Sequence, residues 1–353
     1  MHNFKAIILA GGSGERFWPL STPEKPKQFL RVFGGESLIR QSVSRLKGLV
    51  CPEDVFVITS KALVAATRKE LPEIPKANII GEPMRRDTGA AVALGVGVAS
   101  RTGGDAGSSG RDDCVLGFFP SDQLVAKPAA FRRAVGEAVK RAKAKDAIVT
   151  LGIKPTFPAT GYGYVDPKSG RFVEKPNVAK AKAYLKKGYL WNAGMFIGRA
   201  ETFKAAFAAH APALLPLVSV SGAAGYPPSE ASSEGGAMRG VRALPKTYEP
   251  LPRISFDYAV MEKLKNVAVV KGDFGWDDVG SYAAFDKHFV RGKDGNIILG
   301  EVNAVETDGC TAVAKGAKIA LLGVKDLVVV TTKDAVLVVA KDKVAELKKL
   351  FAK

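Results

Sequence analysis

Over the first 150 residues short apolar runs alternate with helical patterns, which restricts the chain to a mainly parallel sheet with helices on its faces. Candidate strands are 5–10, 54–59, 78–80, 115–119 and 147–152, with helical stretches near 37–47, 61–71, 89–101 and 129–144 between them. Each candidate strand is apolar throughout rather than alternating, the pattern of a strand covered on both faces. The fold class is therefore α/β. Thr102 to Gly110 reads as a surface loop, and the pattern from 151 onward is mixed. Within it, the Gly-, Ser-, Ala- and Pro-rich stretch Ser219–Gly240 reads as a mobile insertion.

The tail differs in kind. Apolar runs recur at 310–314, 318–322, 327–331 and 335–339, too close together for helices between them, before a helical close at 343–352. That spacing favours meandering or coiled β structure, a few β-helix turns included. The expected organisation is a larger α/β domain over 1–289 and a small β-rich accessory domain over 290–353. A chain of 353 residues is in any case long enough for two cores.

Composition excludes several classes of function. No stretch of 18 or more apolar residues occurs, so no transmembrane helix is expected. The run Ala6–Ala10 is too short for a secretory core and opens directly into glycines, which predicts a cytoplasmic protein. Cys51, Cys114 and Cys310 form no CxxC pair, so neither a disulfide framework nor a zinc site is suggested. The net charge of +17 points first to a polyanionic partner. Residues 132–187 hold fourteen Lys and Arg against four Asp and Glu, mostly on the outer faces of two amphipathic helical patterns. Those patterns lack the interleaved aromatics that stack bases, which disfavours nucleic acid.

The strongest local feature follows the first strand: Leu9-Ala10-Gly11-Gly12-Ser13-Gly14-Glu15-Arg16. A glycine-rich turn lets backbone N–H groups approach phosphate oxygens closely, although a lone GGxG is equally a plain tight turn. No Gly-Lys-Ser/Thr follows, so it is not a P-loop, and Phe17 occupies the third glycine of a dinucleotide fingerprint. Arg16 and the later Pro26-Lys27-Gln28 add the cations that would offset a polyphosphate.

With Phe17-Trp18-Pro19-Leu20-Ser21 and Pro26-Lys27-Gln28-Phe29-Leu30, this segment resembles the opening of sugar-1-phosphate nucleotidyltransferases, in the form seen in mannose-1-phosphate guanylyltransferases. The resemblance continues in order through Glu82-Pro83-Met84-Arg85-Arg86-Asp87-Thr88, Phe119-Pro120-Ser121-Asp122, Thr160-Gly161-Tyr162-Gly163-Tyr164 and Val173-Glu174-Lys175-Pro176. Trp191-Asn192-Ala193-Gly194-Met195-Phe196, Ser255–Lys263 and Gly275-Trp276-Asp277-Asp278-Val279-Gly280-Ser281 complete it. The resemblance implies a Rossmann-like, mostly parallel sheet of the nucleotide-diphospho-sugar transferase fold. Two departures stand out: Gly89-Ala90-Ala91 replaces the usual Ala-Pro-Ala, and Asp87 stands where Asn is common. The isomerase domain of some bacterial relatives would need further chain beyond Lys353, so isomerase activity is not expected.

By the same resemblance, Leu9, Gly11, Gly12, Gly14 and Arg16 should cradle the triphosphate of GTP, and Lys27 should stabilise charge at the reacting α-phosphate. Asp87 and Thr88 are expected near guanine, an N-cap being the equal alternative for Asp87. Asp122 alone would be read as a helix cap and Asp278 as a turn residue. Paired by the family pattern, they are the carboxylates expected to hold Mg²⁺. Gly161, Tyr162, Gly163, Glu174, Lys175 and Asn192 should form the mannose 1-phosphate pocket, and Asp257 is either part of it or structural. The nucleophile is a phosphate oxygen already ionised at neutral pH, so no catalytic His is required; His2, His210 and His288 lie outside the motifs.

The expected reaction transfers GMP from GTP to mannose 1-phosphate. The same chemistry with another sugar or base, and a catalytically silent nucleotide-sugar-binding regulator, are the alternatives; a homodimer through the tail is left open. Neither nucleic acid nor membrane is expected as a partner.

Overall fold

The five apolar runs of the first 150 residues fold as their composition requires, each becoming a strand buried along almost its whole length. The computed structural model describes residues 3–12, 14–100, 114–220 and 244–351. The Thr102–Gly110 loop, and all but the first two residues of the Ser219–Gly240 stretch, lie outside the described residues. The chain divides into two units, residues 1–11 with 40–277 and residues 12–39 with 278–353.

The first unit is built on strands β1 (Phe4–Ala10), β2 (Val55–Ser60), β3 (Ile79–Glu82), β4 (Val115–Pro120), β5 (Leu124–Val125), β6 (Val149–Ile153), β7 (Tyr164–Val165), β8 (Phe172–Val173), β9 (Leu190–Arg199), β10 (Ala268–Gly272) and β11 (Trp276–Asp277). The main sheet runs β10-β6-β9-β4-β1-β2-β3. β1 pairs in parallel with β2 and β4, with Ile8 opposite Val57 and Phe119. β9 is antiparallel to both β4 and β6 and makes the sheet mixed. Its register with β6 shifts between Thr150 and Gly152, the latter lying opposite Asn192; such irregularities re-aim side chains.

The helix Asp87–Ala99 is apolar all round and buried from Gly89 to Ala99, as a helix at the centre of a core must be. Burying each of its Val and Leu side chains contributes about 1.5–3 kcal/mol. By contrast the helix Pro128–Ala144 buries Phe131, Ala134, Val135, Ala138 and Val139, the apolar face predicted from its spacing, and turns Arg132, Lys140 and Lys143 away from the core. Among the described residues no helix is long and apolar enough to cross a membrane.

In the second unit the tail strands are β12 (Ile297–Leu299), β13 (Val302–Val305), β14 (Thr311–Ala314), β15 (Ile319–Leu322), β16 (Leu327–Thr331) and β17 (Val336–Ala340). β12, β14 and β16 stack in parallel, as do β13 and β15, while β17 closes antiparallel on β16. This is the coiled β structure expected from the spacing. Cys310, Ala312, Ile319, Leu321 and Val329 fill its interior. The closing helix is 3₁₀ over Lys341–Phe351 rather than α. The segment 12–39 belongs to this unit through aromatic packing: Phe17 is fully buried, 5.2 Å from the Tyr282 ring, and Tyr282 Oη donates to the Phe17 carbonyl at 3.0 Å.

Candidate active site

In the first unit, the carboxyl ends of β1, β3 and β4 carry candidate residues, the edge at which α/β sheets bind ligands. The Leu9 carbonyl accepts from Ser121 N–H (3.0 Å), tying β1 to the turn that bears Asp122. Glu82 ends β3 almost fully buried; its Oε1 accepts from Tyr248 Oη at 3.1 Å. Its Oε2 lies 3.5 Å from the position a Cβ on Gly11 would take. Burial pushes the Glu82 carboxyl up to about 7, only partly offset by the tyrosine hydrogen bond. Burial and the neighbouring Glu82 push the Tyr248 phenol upward as well.

Downstream of Glu82 the motif is pinned to residues 248–256. Arg86 donates to the carbonyls of Tyr248 (3.1 Å) and Glu249 (2.8 Å), and Thr88 Oγ1 accepts from Phe256 N–H (2.9 Å). The N-cap of the helix is Arg86, without a side-chain cap bond. Asp87, at φ +57°, is therefore inside the first turn rather than the cap, and its Oδ1 meets Arg253 Nε at 3.4 Å. Gly89 donates to the Ile254 carbonyl, and a Cβ there would stand 2.6 Å from that oxygen. The departure from Ala-Pro-Ala thus has a local packing cause.

The Asp122 turn is held from several sides. Gln123 Nε2 donates to the Ala193 carbonyl (2.9 Å), and Gln123 Oε1 accepts from the Trp276 indole (2.9 Å). Beneath it, Arg45 donates to the carbonyls of Pro120 and Gln123. Burial lowers the Arg45 guanidinium to about 10, with Asp122 acting in the opposite sense.

A third group of residues forms a polar pocket at β7–β9. Asn192 N–H donates to the Gly163 carbonyl (2.8 Å), its Oδ1 accepts from Thr150 Oγ1 (2.7 Å), and its Nδ2 donates to Asp257 Oδ1 (3.0 Å). Lys175 Nζ donates to Glu174 Oε1 at 2.6 Å. A Cβ at Gly163 would come within 2.6 Å of Glu174 Oε2, so that carboxylate sits directly against Gly163, while the space at Gly161 is open. Tyr162 presents its ring edge-on to Trp191 (5.2 Å) and Trp276 (5.3 Å). Burial, reinforced by Glu174, pushes Asp257 up to about 7; burial also raises Glu174, against the pull of Lys175. For Lys175, burial favours loss of the proton, but the hydrogen bond to Glu174 and the charges of Glu174, Asp257 and Tyr258 together outweigh it and hold the ammonium above its usual range. Two crowded carboxyls with one lysine and an oriented amide suit a ligand that brings both hydroxyl donors and a negative charge.

The second unit brings Gly14, Arg16, Lys27 and Asp278 together. Gly14 adopts φ +67°, the left-handed region, and a Cβ on it would fall 2.5 Å from Lys27 N. The glycine loop therefore lies directly on the start of the Lys27–Phe29 turn. Lys27 is buried, and its Nζ donates to the Asp278 carbonyl at 2.7 Å. A Cβ on Gly280 would stand 3.3 Å from Arg16 Nη1 and 3.4 Å from Asp278 Oδ2, so cation and carboxylate flank one glycine. Gly12 belongs to the same loop, and nothing lies within 4 Å of the position its Cβ would take. The sequence reading missed Arg45, Glu82 and Tyr248. Glu82 lay within a motif already singled out; Arg45 and Tyr248 carried no local signal.

The nucleotidyl transferase family matches residues 5–291, and the MannoseP isomerase/GMP-like beta-helix domain matches residues 300–353. The chain is 36% identical over 341 residues to a mannose-1-phosphate guanylyltransferase of Sinorhizobium fredii, covering 92% of this chain and 62% of that protein. It is 34% identical to a mannose-1-phosphate guanylyltransferase of Escherichia coli, covering 98% of this chain and 72% of the relative. A crystal structure from Thermus thermophilus, described as a mannose-1-phosphate geranyltransferase, superposes with a TM-score of 0.83 at 35% identity, over 99% of this chain and 98% of that one.

Proposed function

The chain belongs to the nucleotidyl transferase family, among its mannose-1-phosphate guanylyltransferases, and on that premise we propose that it transfers GMP from GTP to α-D-mannose 1-phosphate. A phosphate oxygen of the sugar phosphate attacks the α-phosphorus of GTP in line. The bond from that phosphorus to the bridging oxygen breaks, and pyrophosphate leaves with the electron pair. The nucleophile is already an anion, so the barrier lies in bringing like charges together and in stabilising the leaving group.

The observation that carries the proposal is the β7–β9 cluster, where Lys175 is bonded to Glu174 and Asn192 to Asp257, and the charges of Glu174 and Lys175 act on Asp257. Glu174 and Asp257 are proposed to accept from mannose hydroxyls, Lys175 to meet the sugar phosphate, and Tyr162 with Gly161 and Gly163 to line the ring. The backbone of Gly11, Gly12 and Gly14, beside Leu9, is proposed to receive the triphosphate, with Arg16 and Lys27 offsetting its charge. Asp87 and Thr88 are proposed to face the base, and the buried Glu82 beside Gly11 is a further group able to accept from guanine N–H donors.

Asp122 and Asp278 are each proposed as a carboxylate for Mg²⁺, a hard cation suited to oxygen ligands. When bound, Mg²⁺ would supply positive charge to offset that of the phosphates and the leaving pyrophosphate. The test is pyrophosphate release across four nucleoside triphosphates and several sugar 1-phosphates. Turnover is expected to be fastest with GTP and mannose 1-phosphate; a faster pair would refute the specificity.

A further inference from the structure

Arg45 is a cation almost fully removed from solvent, 4% exposed, immediately after the helix Leu38–Ser44. A buried guanidinium costs several kcal/mol unless its donors are spent; Nε has no hydrogen-bond partner, and the two terminal nitrogens carry the bonding. Here Nη1 donates to the Gln123 carbonyl at 3.0 Å, and Nη2 to the Pro120 carbonyl at 3.1 Å and to Ser42 Oγ at 2.7 Å. Ser42 Oγ in turn donates to the same Pro120 carbonyl at 2.9 Å. The guanidinium also lies 5.2 Å from the centre of the Phe131 ring, which packs edge-on against Phe119 and Phe274.

The two carbonyls in this fork are those on either side of Ser121-Asp122. A planar fork holds both ends of that turn in one fixed geometry, each through its own nitrogen; a lysine ammonium, whose donors rotate about a single nitrogen, fixes no such geometry. We propose that Arg45 is a positioning residue for the reaction, clamping the Pro120–Gln123 turn so that Asp122 is presented in a single orientation. The inference rests on the proposed role of Asp122 at the reacting centre.

The test is a double-mutant cycle with a second, non-kinetic readout. Arg45→Lys keeps the charge and loses the fork. It should lower kcat about tenfold or more, on the scale by which misplacing a catalytic group costs up to about a hundredfold, with the KM for mannose 1-phosphate changed less than about twofold. The amide hydrogens of residues 121–123 should exchange markedly faster in Arg45→Lys, and those of the β12–β17 strands should not. Placed in an Asp122→Asn background, Arg45→Lys should cost nothing further, because both changes act through one carboxylate. Equal losses in the two backgrounds, unchanged exchange at 121–123, or normal turnover of Arg45→Lys would each overturn the inference. If Arg45→Lys does not fold, Ser42→Ala, which removes one bridge of the clamp, should show the same pattern at smaller amplitude. A loss in Asp122→Asn with none in Arg45→Lys refutes the clamp alone, whereas near-normal turnover of Asp122→Asn by itself refutes the role of Asp122 and the clamp with it.

Discussion

Replacing Gly14 by alanine tests the proposed role of the glycine loop more sharply than removing any charge. At φ +67° an alanine pays about 1–2 kcal/mol for the left-handed conformation. Its Cβ would also fall 2.5 Å from Lys27 N and 2.6 Å from Lys27 Cβ, and the first of these is backbone. The Lys27 turn must then move, at a further cost of about 1–3 kcal/mol, the scale of overpacking. Gly35 supplies the control: its φ is +82° and nothing lies within 4 Å of its Cβ position. Gly35→Ala should therefore show the conformational term alone. Both variants are measured by urea unfolding and by steady-state pyrophosphate release. Gly14→Ala should be about 1–3 kcal/mol less stable than Gly35→Ala. It should also lose up to about a hundredfold in kcat, because Lys27 is displaced from the Asp278 carbonyl, while Gly35→Ala turns over normally. Equal kinetics for the two would refute the reasoning that Gly14 acts through Lys27.

Two further outcomes are expected. Lys27→Ala, Asp122→Asn and Asp278→Asn should each lower turnover at least about a hundredfold, the scale of losing one transition-state charge partner; near-normal rates in all three would refute the assignments. Glu82→Gln should make stability less pH-dependent. The folded-state carboxyl, at about 7, holds a proton that the unfolded chain has released, so the wild type loses stability as pH rises between about 4 and 7. Glu82→Gln escapes that loss, and its stability relative to wild type should grow between pH 5 and pH 8 by an amount of order 3 kcal/mol. A constant difference across that range, measured by urea unfolding, would show that Glu82 is not held protonated.

Sequence made the parallel strands legible because doubly covered strands are apolar without alternation, and the helix Pro128–Ala144 because its buried face repeats at helical spacing. β9 was hidden: Leu190–Arg199 carries Trp, Asn and Gly between its aliphatics, and its strand character comes from lying between β4 and β6. In the tail, the eight-to-nine-residue repeat was half a coil, since Ile297, Thr311 and Val328 stack on one wall and Val302 and Ile319 on another. Asp87 looked like a cap because acidic residues before apolar helices often are; the helix instead takes Arg86 as its N-cap, and Asp87 pairs with Arg253. Arg45 was illegible for a different reason. In a helical pattern it reads as a surface cation, and its partners lie 75 and 78 residues away.

The hydrogen bond from Lys27 to the Asp278 carbonyl also sets a schedule for synthesis. It joins residues 251 positions apart, and Gly14 rests on the same lysine. At about 5–20 residues per second, a ribosome needs on the order of ten to fifty seconds to travel between them. During that interval β1 to β4 can already pair from sequence in hand, while the glycine loop waits without its partner. A growing chain would thus carry a nearly finished sheet well before Lys27 meets the Asp278 carbonyl, and the glycine loop takes its final support last.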